Sequence, residues 1–315
     1  MFVFSMSSGM FLGWSLGAND ASNVFGTAVG SRMIRFRTAA ICCSVFLLLG
    51  AVISGAGASH TLGKLGAVNA LGGAFVVAFA AALSVYLMIL ARFPVSTSQA
   101  VVGAIVGWNC FASLATDYSA LSRIVMTWVA CPLLSATIAM ASYAFIGLCL
   151  RFWAVPLFTL DRWTRNGLLL VGVFGSYALG ANNIANVVGV FLPVSPFQDM
   201  HIGGGVTVTA AQQLFFLGAS ASCVGVFTYS RRIMETVGDG IFKLSPLMAF
   251  VAVWSHSLVL FLFSSQGLEQ FLLEHGLPTL PLVPVSSSQA LVGAVIGMGL
   301  LKGGRNIRWR MVAGI

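Results

Sequence analysis

Fourteen residues occur twice in this chain, as Pro94-Val95-Ser96-Thr97-Ser98-Gln99-Ala100-Val101-Val102-Gly103-Ala104-Ile105-Val106-Gly107 and as Pro284-Val285-Ser286-Ser287-Ser288-Gln289-Ala290-Leu291-Val292-Gly293-Ala294-Val295-Ile296-Gly297, with ten positions identical. A second pair accompanies the first: Gly17-Ala18-Asn19-Asp20-Ala21-Ser22-Asn23 and, 163 residues later, Gly180-Ala181-Asn182-Asn183-Ile184-Ala185-Asn186. Each half of the chain carries one motif of each kind in the same order. The chain is an internal duplication, so its fold must be assembled from two copies of one unit.

The motifs interrupt segments that are otherwise fit for lipid. Hydrophobic residues make up 58% of the chain and charged residues 8%, against roughly 25% charged in a soluble domain. With a mean hydropathy of +0.95, this is a polytopic membrane protein. Between Phe2 and Gly30 the only charged side chain is Asp20. A carboxylate at membrane depth is costly unless paired or coordinated, which makes it a functional candidate. Asn19 and Asn23 share one helical face beside it. Small residues at 17, 18, 21 and 22 admit a second backbone. The plainer alternative is a polar cluster that only joins two helices.

The net charge of +8 belongs to membrane topology, not to nucleic acid. Apolar segments run at about 2–28, 38–58, 67–91, 94–115 and 121–150, then at about 166–192, 203–229, 243–266, 282–301 and from about 309. If each crosses once and the amino terminus is outside, fourteen of the sixteen Lys and Arg residues face the cytoplasm, leaving Lys64 and Arg123 outside. Residues 2–28 lack the basic start and cleavage site of a signal peptide and read as a retained segment. The six cysteines lie in apolar stretches without C-x-x-C spacing, which argues against disulfides or zinc.

Five segments per repeat place the two halves in opposite orientations. The expected fold is therefore all-α, with inverted-topology repeats at 1–150 and 166–315 and a cytoplasmic interfacial linker at 151–165. The second repeat ends without a full counterpart to 121–150. Such repeats with broken helices near the midplane are an architecture of secondary transporters. The short, Pro/Gly-punctuated segments 94–115 and 282–301 read either as spans or as re-entrant hairpins.

The Pro-Val-Ser motifs read as helix starts. Pro94 and Pro284 end what precedes them, and the hydroxyls that follow supply N-caps. A helix start within the membrane leaves N–H groups unpaired, and these, with the hydroxyls and Gln99 and Gln289, favour an anion. Every Lys and Arg falls in or near a loop, so a coupling cation must neutralise that anion. Asp20 and the amide oxygens of Asn19, Asn23, Asn182, Asn183 and Asn186 offer the hard-oxygen ligands Na⁺ takes. A proton on Asp20 is the competing possibility.

GANDASN, GANNIAN, PVSTSQA and PVSSSQA resemble the duplicated signatures of the inorganic phosphate transporter (PiT) family, over essentially the whole chain. The resemblance implies symport of phosphate, or in some branches sulfate, with Na⁺ or H⁺, in a homodimer and with no cofactor. It implies that Asn19, Asp20, Asn23, Asn182, Asn183 and Asn186 are cation and phosphate ligands. Ser96, Thr97, Ser98, Gln99, Ser286, Ser287, Ser288 and Gln289 would line the phosphate site. Two departures stand out. Asn183 replaces the second Asp of many members, and Gln99 and Gln289 stand where many have His.

The sequence is thus read as an inverted-repeat phosphate symporter of the plasma (inner) membrane and not as an enzyme, since it has no HExxH, no Gly-x-Ser-x-Gly and no paired carboxylates. A sulfate transporter of the same fold is the alternative, and an anion channel a more distant one. His256, between Ser255 and Ser257, reads either as a proton relay or as hydrogen-bonded packing, with packing the commoner case. Gln212, Gln213 and Asn109 are similarly ambiguous, and Gly13-x-x-x-Gly17 fits a close-packing motif.

Overall fold

The computed structural model describes residues 1–315 except 66, 67, 69, 92–94, 154, 203–205, 239–243 and 304–315. The described chain is almost wholly helical. Its first half holds α1 (Phe2–Gly30), α2 (Phe36–Ser54), α3 (Ala56–Lys64), α4 (Leu71–Leu90), α5 (Thr97–Phe111) and α6 (Tyr118–Phe152). The second holds α7 (Leu157–Val188), α8 (Ala210–Thr228), α9 (Ser230–Gly238), α10 (Pro246–Leu262), α11 (Gln266–Glu274) and α12 (Ser287–Leu301). Between α7 and α8 lies an antiparallel hairpin of β1 (Met200–Ile202) and β2 (Val206–Val208), pairing Met200 with Val208.

Local chemistry sets the helix starts. Ser96 Oγ and Ser286 Oγ accept from the backbone N–H of Gln99 and Gln289, each at 3.3 Å, and so cap α5 and α12. Thr209 and Gln212 form a capping box for α8, and Pro246 follows the Ser245 cap of α10.

Helices at Phe36–Ser54, Leu71–Leu90, Tyr118–Phe152, Leu157–Val194 and Ala210–Thr228 are long and apolar enough to cross a bilayer, and α10 with α11, bent by 66°, makes a sixth candidate. α1 is 29 residues long, about 44 Å at 1.5 Å per residue. Its polar half is buried against the rest of the bundle, almost without a break from Leu12 to Ala28. Exposed apolar side chains such as Ile53, Leu87, Met126, Leu133 and Phe145 present the surface a bilayer requires.

α4 and α5 form an antiparallel hairpin. The start of α4 lies against the end of α5, where a Cβ on Gly73 would meet the Trp108 ring at 2.8 Å. The end of α4 packs Val85 and Ile89 with Val95 and with Ala18 of the first motif. The tip of the hairpin therefore reaches the motif in α1. α5 and α12 have 15 residues each, about 22 Å, which is short of a roughly 30 Å hydrocarbon core. This corrects the alternation that treated 94–115 as a crossing. A Pro-led apolar half-helix has the hydropathy of a span without the length.

α6 restarts on the side where the hairpin began, since Asp117 N–H donates to Leu65 O at 3.2 Å, and its 35 residues supply the crossing. The number of crossings before Arg151 keeps its parity, and Arg92 lies outside the described residues. α12 runs along α6, with Gly293 and Gly297 against the backbone of Pro132 and Ala136. α5 and α12 thus leave the centre towards opposite sides. Most of 151–165 is the start of α7, with Leu157, Phe158 and Trp163 exposed. Pro94, Lys243 and the segment from about 309 lie outside the described residues.

The two halves clasp each other reciprocally. A Cβ on Gly17 of α1 would overlap the Ser222 carbonyl of α8, and one on Gly225 of α8 would overlap the Trp14 carbonyl of α1. Gly180 of α7 bears the same relation to Leu47 of α2, and Gly50 of α2 to Tyr177 of α7. Gly180 and Tyr177 follow Gly17 and Trp14 by 163 residues, and Ser222 and Gly225 follow Leu47 and Gly50 by 175. Only glycine lets these backbones touch. Gly13 belongs to the same seam, its Cβ position 2.8 Å from the Gly218 oxygen, so Gly13-x-x-x-Gly17 is a packing motif here.

Candidate substrate and ion site

The four motifs meet at one point. Asn23 Nδ2 of α1 donates to Ser288 Oγ at 3.2 Å, and its counterpart Asn186 of α7 donates to Ser98 Oγ at 2.9 Å. Ser98 Oγ in turn donates to Val285 O at 2.9 Å, and Ser288 Oγ to Val95 O at 3.0 Å. Each bond in one half has its mirror in the other, and all four join the halves. Ser96, Thr97, Ser98, Ser286, Ser287 and Ser288 are all buried. The first N–H groups of α5 and α12 open on this same region, where the partial positive charge of a helix start lies.

Asp20, 2% exposed, is ringed by donors. Asn19 Nδ2 lies 2.7 Å from Oδ1, and Asn183 Nδ2 lies 3.0 Å and Thr97 Oγ1 3.5 Å from Oδ2. The amides divide into two roles. Asn182 is engaged at both ends, donating to Val283 O at 3.1 Å and accepting from Val285 N–H at 2.9 Å. Asn19 also donates to Val95 O at 2.9 Å. These two residues hold the backbone at Val95, Val283 and Val285 in place, and the amide oxygen of Asn182 spends one of its two lone pairs on the Val285 N–H. Asn183 Oδ1, Asn186 Oδ1 and Gln289 Oε1 are buried acceptors with no hydrogen-bond partner among the described residues. Buried acceptors left unpaired in this way fit a cation or a donor from a substrate.

His256, which the sequence left between a proton relay and packing, lies against the motif hydroxyls. Its Nε2 lies 2.8 Å from Ser287 Oγ, which also accepts from Asn23 Nδ2 at 3.1 Å. The flanking Ser255 and Ser257 bond the carbonyls of Val251 and Val253 within α10 and take no part. Gln212, Gln213 and Asn109 lie apart. Gln212 caps α8 and donates to Val52 O, Gln213 donates to Gln198 O, and Asn109 donates to Thr116. The backbone carbonyls of Val95 and Val285 are structural partners that no residue type could announce.

A cage of hydroxyls, amides and one carboxylate, closed between two short apolar helices that start at the centre of the bundle, defines a membrane transport protein. The family model described as Phosphate transporter family matches residues 16–315, and the chain belongs to that family. It is an integral membrane transporter and not an enzyme. Similar proteins include one named a phosphate permease in Methanocaldococcus jannaschii, 26% identical over 307 residues, covering 97% of this chain and 87% of that one. Another of that name, from Haemophilus influenzae, is 24% identical over 382 residues, covering 94% of this chain and 86% of the other. The fold is shared with a solved structure titled "The sodium-dependent phosphate transporter", with a TM-score of 0.78 and 23% identity over 100% of this chain and 93% of that one.

Proposed function

We propose that this chain imports inorganic phosphate by Na⁺-coupled symport with alternating access, using two inverted repeats that meet at the site. The observation that carries this reading is the convergence of both Pro-Val-Ser helix starts on Asp20 and the Asn cluster, through reciprocal hydrogen bonds. The helix starts, with Ser287 and the backbone N–H groups, provide for the anion. Asp20 with Asn183 Oδ1 and Asn186 Oδ1 provides for the cation. Each ion relieves the burial cost of the other, so binding is mutually reinforcing, and that linkage is the thermodynamic content of symport. Na⁺ is favoured over a proton because the two orphan amide oxygens need a partner that a proton on Asp20 alone does not supply.

The opposite exits of α5 and α12, together with the reciprocal glycine seams, support the inverted arrangement and rocking of one half against the other. The Lys and Arg distribution supports a cytoplasmic (inner) membrane location with the amino terminus outside. The exposed apolar length of α6 offers area for a second copy.

The test is uptake of labelled phosphate into proteoliposomes under an inward Na⁺ gradient or a pH gradient alone, with Asp20→Asn beside the wild type. Phosphate accumulation that needs Na⁺ and is lost in Asp20→Asn supports the reading. Accumulation driven by the pH gradient alone, or uptake of sulfate in place of phosphate, refutes the coupling ion or the substrate assigned here.

A further inference from the structure

Six hydroxyls crowd the two helix starts, and hydrogen bonds account for the part most of them play. The protons of Ser98 and Ser288 go to the carbonyls of Val285 and Val95. The proton of Thr97 goes to Asp20. Ser96 and Ser286 act as caps, accepting from Gln99 and Gln289. Ser287 differs in its surroundings: its oxygen lies 3.1 Å from Asn23 Nδ2 and 2.8 Å from His256 Nε2, so its proton either goes to that ring nitrogen or is left without a partner among the described residues.

The direction of the His256 bond follows from its other nitrogen. The ring is fully buried, and Nδ1 has no partner among the described residues. If Ser287 donated to Nε2, the proton of the neutral ring would sit on Nδ1 as a buried N–H without an acceptor, an arrangement rarer in folded proteins than an unpaired acceptor. The better-satisfied tautomer carries its proton on Nε2 and donates to Ser287. Asn23 and His256 then occupy both lone pairs of the Ser287 oxygen, and the hydroxyl proton must point in the one tetrahedral direction left.

We propose that His256 is a positioning residue for the transported anion, holding Ser287 as an obligatory hydroxyl donor to a substrate oxygen. The proposal rests on the phosphate-site reading above and assigns that site a polarity. At the equivalent position of the first half, the Thr97 hydroxyl faces the carboxylate of Asp20, 3.5 Å away. The two copies of one hydroxyl have opposite orientations. The anion is held from the α12 side, and the cation from the side of Asp20 and Thr97.

The test uses the full chain in proteoliposomes, with phosphate KM, maximal rate and half-saturating Na⁺ measured for wild type, His256→Leu, His256→Gln, Ser287→Ala and the Leu/Ala double variant. Loss of one oriented donor to a charged oxygen is expected to raise the phosphate KM about tenfold in His256→Leu, with the maximal rate and the Na⁺ dependence little changed. The Gln variant can place an N–H where Nε2 was and is expected to recover most of the loss. The double variant is expected to be no worse than Ser287→Ala, because His256 acts through that hydroxyl.

An unchanged KM in His256→Leu, a Gln variant as impaired as Leu, or additive losses in the double variant would each overturn the proposal. If the Leu variant does not fold, Gln against Ser287→Ala decides. A Gln variant near wild type beside an impaired Ala variant supports the relay, and equal impairment overturns it. Absence of phosphate uptake by the wild type itself would instead refute the functional reading, so the two failures are told apart.

Discussion

Replacing Asn183 with Asp would test the ion site most sharply. The Asn183 amide nitrogen lies 3.0 Å from Asp20 Oδ2, and a carboxylate oxygen would take its place. Two unit charges at that separation repel by roughly 5.5 kcal/mol at an effective dielectric constant of about 20. Loss of the charge-assisted hydrogen bond adds about 1.5–3 kcal/mol. Together these rival the whole stability of a typical domain, about 5–15 kcal/mol, so the pair cannot remain doubly ionised and must hold a cation or share a proton. A cation that relieves even a quarter of the repulsion, about 1.4 kcal/mol, binds about tenfold more tightly. Phosphate uptake titrated with Na⁺ at fixed alkaline pH is therefore expected to reach half-maximum at a Na⁺ concentration at least about tenfold lower in Asn183→Asp. An unchanged Na⁺ curve in a folded, phosphate-binding variant would remove the Asp20–Asn183 pair from the cation site.

Other expectations can be checked with the same preparation. Gly17→Ala or Gly180→Ala drives a methyl group into a backbone carbonyl and should lower the thermal midpoint by an amount equivalent to about 1–3 kcal/mol or more, whereas Gly103→Ala, inside α5 with nothing within 4 Å of its Cβ position, should not lower it. Thr97→Val removes a donor 3.5 Å from Asp20 and should shift the Na⁺ dependence while sparing the phosphate KM, the reverse of Ser287→Ala. Asp117 caps α6, and the Ser119 side chain, followed by the Ala120 N–H, holds its carboxyl below the usual range. Its contribution to stability is present above the unfolded-state value and is lost as pH falls through the lowered folded one, so acidification should lower the midpoint of the wild type more than that of Asp117→Ala.

The sequence showed the meeting of the motifs more clearly than the path of the chain between them. Duplication and an isolated carboxylate mark residues that must share a dry site, because only mutual contact makes them tolerable in lipid. Hydropathy, by contrast, does not separate a hairpin at 71–111 from two spans, since both bury the same apolar residues. What distinguishes them is the packing of Val85 and Ile89 against Ala18, partway along α1, which no local pattern encodes. His256 was left between relay and packing because its partner, Ser287, is 31 residues away and only the fold brings the two together. The division among the asparagines was equally hidden, because an amide that fixes a backbone and one left with an unpaired oxygen have the same one-letter code.

The crossed glycine seams also bear on how the protein comes to be made. α1 and α2 leave the ribosome well over a hundred residues before α7 and α8, the helices their glycines are shaped to receive. Domains of most long chains fold in order of synthesis, but the first half of this one cannot close on itself. Its seams can be filled only once α7 and α8 are in place. The same interlock that builds the site leaves the first half, taken alone, with glycine-lined grooves that nothing else in that half is shaped to fill.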